Sequence, residues 1–339
     1  MKAIGYQNPQ PITAATSLQD ITLPAPIAEG RDLLVEVRAI SVNPLDVKLR
    51  SSAPPASGQD FKVLGYDASG IVRAVGPEVT LFKPGDRVYY AGAFTRPGTN
   101  SELHLVDERL VGHMPESLDF AQAAALPLTS ITAWELLFDR LGVQPGKKPN
   151  PKNLLIIGAA GGVGSMLVQL ARRLTALTVI GTASRPETQN WVRELGAHHV
   201  IDHTQAITAQ LAQMGMPQVD IIVSLSHTAE HLPQIIEALA PQGQFALIDD
   251  PATLDVTPFK LKAISIHWEM MFVRSLFGTA DMIAQHNLLN EVAQLVDAGV
   301  LRTTFAENLG PINAENLKRA HALIESGTAR GKVVLDGWV

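Results

Sequence analysis

The opening of the chain alternates short apolar runs with turn-forming residues. Leu33-Leu34-Val35-Glu36-Val37-Arg38-Ala39-Ile40 is dense in aliphatics, Gly70-Ile71-Val72-Arg73-Ala74-Val75-Gly76 is a short run bounded by glycines, and Gly85-Asp86-Arg87-Val88-Tyr89-Tyr90 opens on a turn and continues as a strand. Pro, Gly and Ser cluster between these runs, at 51–58 and 96–100. Short strands separated by turn signals predict a β-rich barrel or sandwich-like domain.

Near Phe120 the pattern changes. Residues 121–140 are rich in Ala and Leu and predict helix, interrupted at Pro127. After a Pro/Lys/Asn loop over 144–152, strands are predicted over 154–157, 178–182, 200–201, 220–225 and 244–248, and helices over 163–174, 186–195 and 232–239. Such alternation predicts a parallel sheet with helices on both faces. A further strand is expected over 264–272, amphipathic helices over 281–298 and 313–327, and a closing strand over 331–335. The expected plan is an α/β chain in which a doubly wound nucleotide-binding domain, 126–272, interrupts a β-rich domain made of 1–125 and 273–339.

Composition narrows the function classes. Over 339 residues the chain is 46% hydrophobic and 18% charged, with a formal net charge of −6. No basic block stands out, so neither a nucleic-acid nor an anionic-membrane surface is expected. There are no cysteines, which excludes disulfides, thiolate nucleophiles and cysteine-ligated zinc and suits a cytoplasmic protein. The beginning Met1-Lys2-Ala3-Ile4-Gly5-Tyr6 reads as a strand rather than a signal peptide. Residues 154–171 have the length of a membrane span, but four glycines, Ser165 and Gln169 interrupt them, and a strand, a turn and a buried helix are expected instead.

Leu154-Leu155-Ile156-Ile157-Gly158-Ala159-Ala160-Gly161-Gly162-Val163-Gly164 lies where a predicted strand gives way to a predicted helix, as a dinucleotide fingerprint requires. Gly161 lets backbone approach a pyrophosphate, Gly164 allows close helix–strand packing, and the helix start offers free N–H groups and a positive dipole end. Ala159 replaces the first glycine of the G-x-G-x-x-G pattern. Ala159, Gly161, Gly162, Val163 and Gly164 are therefore the expected cofactor turn, against the alternative of a tight turn in any α/β protein.

The second strand of this unit ends Val179-Ile180-Gly181-Thr182-Ala183-Ser184-Arg185-Pro186. An NAD enzyme places a carboxylate near Ala183 to accept from the ribose hydroxyls. Its absence removes a charge that would repel a 2′-phosphate, while Ser184 and Arg185 offer a hydroxyl and a guanidinium. NADPH is the expected cofactor, the alternative being that Arg185 is a solvated residue at a helix start. His198, His199 and His203 cross a strand and a loop, where neighbouring side chains point to opposite faces, so they are not expected to form a ligand set.

The chain resembles the medium-chain dehydrogenase/reductase superfamily, in its zinc-free quinone-oxidoreductase-like branch. The resemblance rests on Ser41-Val42-Asn43-Pro44-Leu45-Asp46-Val47-Lys48, Gly65-Tyr66-Asp67-Ala68-Ser69-Gly70, Lys83-Pro84-Gly85-Asp86-Arg87-Val88, Ala124-Ala125-Leu126-Pro127-Leu128-Thr129-Ser130-Ile131-Thr132-Ala133 and the glycine turn. It implies a GroES-like β-rich catalytic domain and a Rossmann domain with the active site in the cleft between them. The positions that hold catalytic zinc in relatives match Asn43, Tyr66 and Leu128, a set that does not suit zinc, so no metal site is expected.

Without a Lewis acid, alcohol oxidation would need a strong base for which there is no candidate, whereas quinones and conjugated enones already carry an electrophilic carbon. The resemblance implies catalytic roles for Asn43, Tyr66, Thr132 and Asp46. Asn43 would donate to a developing oxyanion, Tyr66 would donate to it, wall the pocket or simply fill the core, Thr132 would pack against the nicotinamide with Thr129 nearby, and Asp46 would fix the Asn43 loop or relay a proton. It also implies a phosphate contact for Lys332, against the alternative of a surface lysine, and a homodimer paired through edge strands near 244–248 and 264–272. The expected activity is NADPH-dependent hydride transfer to a quinone or α,β-unsaturated carbonyl. An enoyl-thioester reductase and a non-catalytic NADPH-binding protein are the alternatives.

Overall fold

The structure, a computed structural model, describes residues 1–146 and 152–339. Most of the loop expected over 144–152 lies outside the described residues. The chain forms two compact units, one of Met1–Ile131 with Phe272–Val339, the other of Thr132–Met271.

The first unit is built on a seven-stranded sheet. Its spatial order is Phe305–Asn308, Lys332–Asp336, Asp32–Val42, Ala68–Val75, Arg87–Tyr90 and Val111–His113, with Leu103–Asp107 also paired to Asp32–Val42. Gln19–Thr22, Lys2–Tyr6 and Lys62–Val63 make a smaller three-stranded sheet. Alternation organises the long strand Asp32–Val42: Leu33, Val35, Val37 and Ala39 are buried while the residues between them are half-exposed. The apolar face carries the core, and from Ala39 onward every residue of the strand is buried. Register shifts against Ala68–Val75 bend the strand before its end. There the chain turns at Asn43 into the helix Pro44–Ser52, whose first residue is a proline preset for helix entry. The closing strand Lys332–Asp336 pairs antiparallel with this same end, Val333 opposite Val42 and Val334 opposite Ser41.

The second unit is a six-stranded parallel sheet in the order His199–Ile201, Thr178–Thr182, Asn153–Ile157, Val219–Ser224, Leu239–Leu247 and Ser265–Trp268. Numbered by sequence this is 3-2-1-4-5-6, the doubly wound order. The central strands read as continuous aliphatic runs because helices cover both faces. Leu155, Ile157, Ile180, Ile222, Phe245 and Leu247 pack with Ile207, Leu211, Ile235 and Phe259 in one core.

Several elements differ from the sequence expectation. The helix expected over 121–140 is interrupted at Pro127 as expected, between Phe120–Ala124 and Pro127–Trp134, but beyond Trp134 it widens into a π-type segment, Glu135–Arg140. The helix expected over 232–239 starts earlier, as Thr228–Ala238, and contains Pro233. The strand expected over 264–272 is only Ser265–Trp268. Helices Pro44–Ser52 and Ile207–Gln213 had no strong apolar period to announce them. No helix among the described residues is long and apolar enough to cross a membrane.

Candidate active site and cofactor turn

In the second unit the strand Asn153–Ile157 leads through 158–161 into the helix Gly162–Leu174. Gly161 is the N-cap, and no side chain caps this end. The first N–H groups of a helix have no intrahelical partner, so the end presents donors and a positive dipole. A Cβ built on Gly161 would meet only the Gly158 carbonyl, at 3.6 Å. The approach to this turn is open on that side, which fits an anion held by backbone N–H groups. Ala159 is fully buried, its methyl packed into the sheet side of the turn, and Val163 begins the helix beside Gly162. The Gly158 N–H donates to Thr182 Oγ1 at 3.1 Å, which ties the turn to the neighbouring strand. These features fit the pyrophosphate of a dinucleotide.

Beyond that neighbouring strand, Ala183 is buried and Ser184 and Arg185 are half-buried. Arg185 is the N-cap of the helix Pro186–Glu194, and its Nε lies 3.1 Å from Glu187 Oε1. Sequence reading gave no weight to Glu187, an acidic neighbour that shares this guanidinium.

In the first unit, Asn43, Asp46, Tyr66 and Lys332 come together, and a residue that sequence reading missed, Asp67, joins them. All five are at least 97% buried. Asp46, in the first turn of the helix Pro44–Ser52, accepts from the Asn43 N–H at 2.8 Å and from the Gly65 N–H at 3.0 Å. That pairing pins both segments on either side of the site, as in a capping box. Gly65 is required here: its φ is +113°, and a Cβ would stand 2.4 Å from Thr99 Oγ1. Burial pushes the Asp46 carboxyl up to about 7.

Asp67 accepts from Asn43 Nδ2 at 2.9 Å and from the Leu128 N–H at 2.7 Å, and it pairs with Lys332 Nζ at 3.0 Å. Burial raises its pKa, and Lys332 opposes that rise. The Lys332 ammonium also donates to Val42 O at 3.0 Å and to Asn43 Oδ1. An ammonium has three hydrogens, and these three acceptors use them. A clue to Asp67 and Lys332 existed in the sequence: each sits in a run that reads as buried, and a buried charge requires a partner.

Tyr66 differs from its neighbours. Its hydroxyl has no hydrogen-bond partner among the described residues, and burial raises its pKa, which keeps the phenol protonated. Its ring meets Phe272 edge to face at 5.7 Å, and Phe272 in turn meets Phe94 at 5.3 Å. A phenolic donor is thus set against an aromatic wall. Thr129 is buried with its hydroxyl donated to Leu126 O at 3.1 Å, and Thr132, also buried, lies one turn further along the same helix in the second unit.

The positions that match zinc ligands do not fit zinc. Asn43 Oδ1 is capped by the Lys332 ammonium, a positive charge where a metal would need a bare oxygen, and the other two positions are a phenol and an alkyl side chain. No group of three or more His, Cys, Asp or Glu suited to a metal ion occurs among the described residues.

Residues 29–116 match the alcohol dehydrogenase GroES-like domain family, and residues 195–335 match the zinc-binding dehydrogenase family. The chain is 38% identical over 338 residues to a zinc-type alcohol dehydrogenase-like protein of Staphylococcus aureus, covering 99% of this chain and 100% of that one. It is 31% identical to a mitochondrial NAD(P)H oxidoreductase of Mus musculus, covering 94% of this chain and 84% of the relative. Among solved structures, a candidate zinc-dependent alcohol dehydrogenase from Rhizobium etli superposes with a TM-score of 0.96 at 60% identity, covering 100% of this chain and 98% of that chain. The quinone oxidoreductase from Coxiella burnetii superposes with a TM-score of 0.80 at 26% identity, covering 99% of each chain.

Proposed function

Since the chain belongs to the medium-chain dehydrogenase/reductase superfamily of oxidoreductases, we propose that it is an NADPH-dependent, metal-independent reductase of quinones or α,β-unsaturated carbonyls. The observation that carries this reading is Tyr66: a protonated phenol, its hydroxyl without a hydrogen-bond partner among the described residues, against the ring of Phe272, which in turn meets Phe94. A planar conjugated acceptor stacks on aromatic surface, and its carbonyl oxygen needs a donor as negative charge develops there. The likeness to the quinone oxidoreductase from Coxiella burnetii supports the same class of acceptor.

The glycine turn and the helix start at Gly162 hold the pyrophosphate, and Ser184 with Arg185 receive the 2′-phosphate, no carboxylate standing at Ala183 to repel it. When bound, the reduced nicotinamide supplies the hydride. Thr129 and Thr132 shape the helix beside it. Tyr66 donates a hydrogen bond from its phenol to the acceptor oxygen and so stabilises the developing oxyanion, which solvent then protonates. Asp46 holds the Asn43 and Gly65 backbones so that Tyr66 keeps its place. The protein acts in the cytoplasm, which a cysteine-free composition suits, and as a homodimer. The edge strand Ser265–Trp268, with Trp268 half-exposed, supports pairing between two copies.

The test follows NADPH absorbance against quinones, enones, enoyl thioesters and simple aldehydes with a chelator present. Oxidation of NADPH by quinones or enones that survives chelation is the expected result. Turnover confined to aldehydes and lost on chelation would overturn the reading.

A further inference from the structure

We infer that Lys332 is a positioning residue and not a cofactor ligand: with Asp67 it clamps the Asn43 amide in one orientation. This rests on the reading of Tyr66 as the donor to the acceptor oxygen.

Lys332 is 3% exposed, and its ammonium meets Val42 O, Asn43 Oδ1 and Asp67 Oδ2, all within the β-rich unit. To reach a phosphate it would have to release at least one of them, leaving a carboxylate or an amide oxygen buried without its partner. Breaking a buried pair in this way is strongly unfavourable.

The Asn43 amide is held from both sides. Its oxygen faces the ammonium, and its nitrogen donates to Asp67 Oδ2 at 2.9 Å, with Ser41 O 3.5 Å away. A flip of the amide would set NH2 against the ammonium and the oxygen against the carboxylate, turning two attractions into two repulsions. Asp67 cannot swing away to relieve this, because its Oδ1 accepts the Leu128 N–H at 2.7 Å at the start of the helix Pro127–Trp134. That N–H has no partner within its own helix.

Two consequences follow. Asn43 has its polar atoms committed, so its part is to hold the segment beside Tyr66 rather than to donate to an oxyanion. Lys332, two strands away in the sheet order from the segment that carries Tyr66, acts on the acceptor only through Asn43 and Asp67.

The experiment compares the wild type with Lys332→Met and with the double variant Asp67→Asn/Lys332→Met, which removes both charges together. Three quantities are read: the NADPH dissociation constant by fluorescence, the thermal midpoint, and kcat and KM for the best acceptor. Both variants are expected to bind NADPH within about two-fold of wild type, because no phosphate contact is lost. The single variant is expected to melt lower, since Asp67 is left unpaired, and the double variant to recover most of that loss. In both, kcat is expected to fall by about ten- to a hundred-fold with KM little changed, because the amide is no longer clamped.

A loss of about ten-fold or more in NADPH affinity in both variants would assign Lys332 to the phosphate and overturn the inference. Wild-type kcat in both variants would overturn it equally, as would a double variant that melts no higher than the single one. If Lys332→Met does not fold, the double variant alone decides on affinity and kcat. Should the wild type reduce no acceptor at all, the proposed activity falls, while NADPH affinity and the two midpoints still judge Lys332.

Discussion

Gly164 packs directly on Gly158: a Cβ at 164 would stand 2.4 Å from the Gly158 carbonyl oxygen and 2.6 Å from Ala159 Cα. Gly161, three residues earlier, has open space where its side chain would be, with the nearest atom 3.6 Å away. The two glycines of one turn therefore serve different ends, and substitution separates them. Gly164→Ala is expected to destabilise the protein by about 1–3 kcal/mol through overpacking. Gly161→Ala is expected to leave the thermal midpoint nearly unchanged and to weaken NADPH by at least about ten-fold, since its methyl would enter the space proposed for the pyrophosphate. Thermal unfolding and fluorescence titration of both variants check this, and equal effects on both quantities would remove the distinction.

Arg185 governs the cofactor's 2′ position in the proposed reading. Its Nε lies 3.1 Å from Glu187, so part of its charge is already balanced. Arg185→Ala is expected to weaken NADPH by about ten- to a hundred-fold, the loss of one hydrogen bond to a charged group, with little change for NADH. Glu187→Gln should strengthen NADPH modestly by removing a carboxylate that competes with the phosphate for the guanidinium. Equal losses for both cofactors in Arg185→Ala would sink the phosphate assignment.

For Tyr66 the informative change is to phenylalanine, which keeps the ring against Phe272 and removes only the hydroxyl. Because that hydroxyl has no partner among the described residues, stability should hold. The value of kcat should fall by about a hundred-fold, the scale for removing one donor to a developing oxyanion. An unchanged kcat would make Tyr66 a wall of the pocket and nothing more.

His321 sets an acid limit on stability. It is fully buried on the helix Ala314–Glu325, and neither ring nitrogen has a hydrogen-bond partner among the described residues. Burial first, and the Arg50 charge second, hold its pKa down to about 3 against 6.5 for a free histidine. Between those values the unfolded chain binds a proton that the folded chain refuses. This contribution to stability is complete above pH 6.5 and is lost as pH falls toward 3. His321→Leu should therefore lose less stability than wild type between neutral pH and pH ~5, by about 2 kcal/mol. His104, held down to about 4 by burial, remains in both proteins and keeps some acid sensitivity in each. Urea unfolding at the two pH values measures the difference, and parallel losses would refute it.

Much of the second unit was legible before any coordinates. The strand Thr178–Thr182 lies where the aliphatic run places it, and the first strand and helix begin one residue from their expected starts. These elements are governed by local pattern and by glycines whose spacing reflects contacts a few residues apart. Pro44–Ser52 was not legible, because its helix is stabilised by the Asp46 contacts to Asn43 and Gly65 and carries no apolar stripe. Asp67 was quoted within a motif, yet its role was invisible because its partners come from three distant segments.

The sequence by itself determined the parallel-sheet unit, its glycine-rich strand-to-helix turn and the lack of a cysteine-based metal site, since each depends on residue type and short-range spacing. Only the tertiary structure decided what Lys332 does. It meets Asn43 across 289 residues of chain because the closing strand pairs antiparallel with the end of Asp32–Val42. Strand register is a long-range choice, set by which faces bury together. The partner of a buried charge follows from that register and from no pattern near the charge itself.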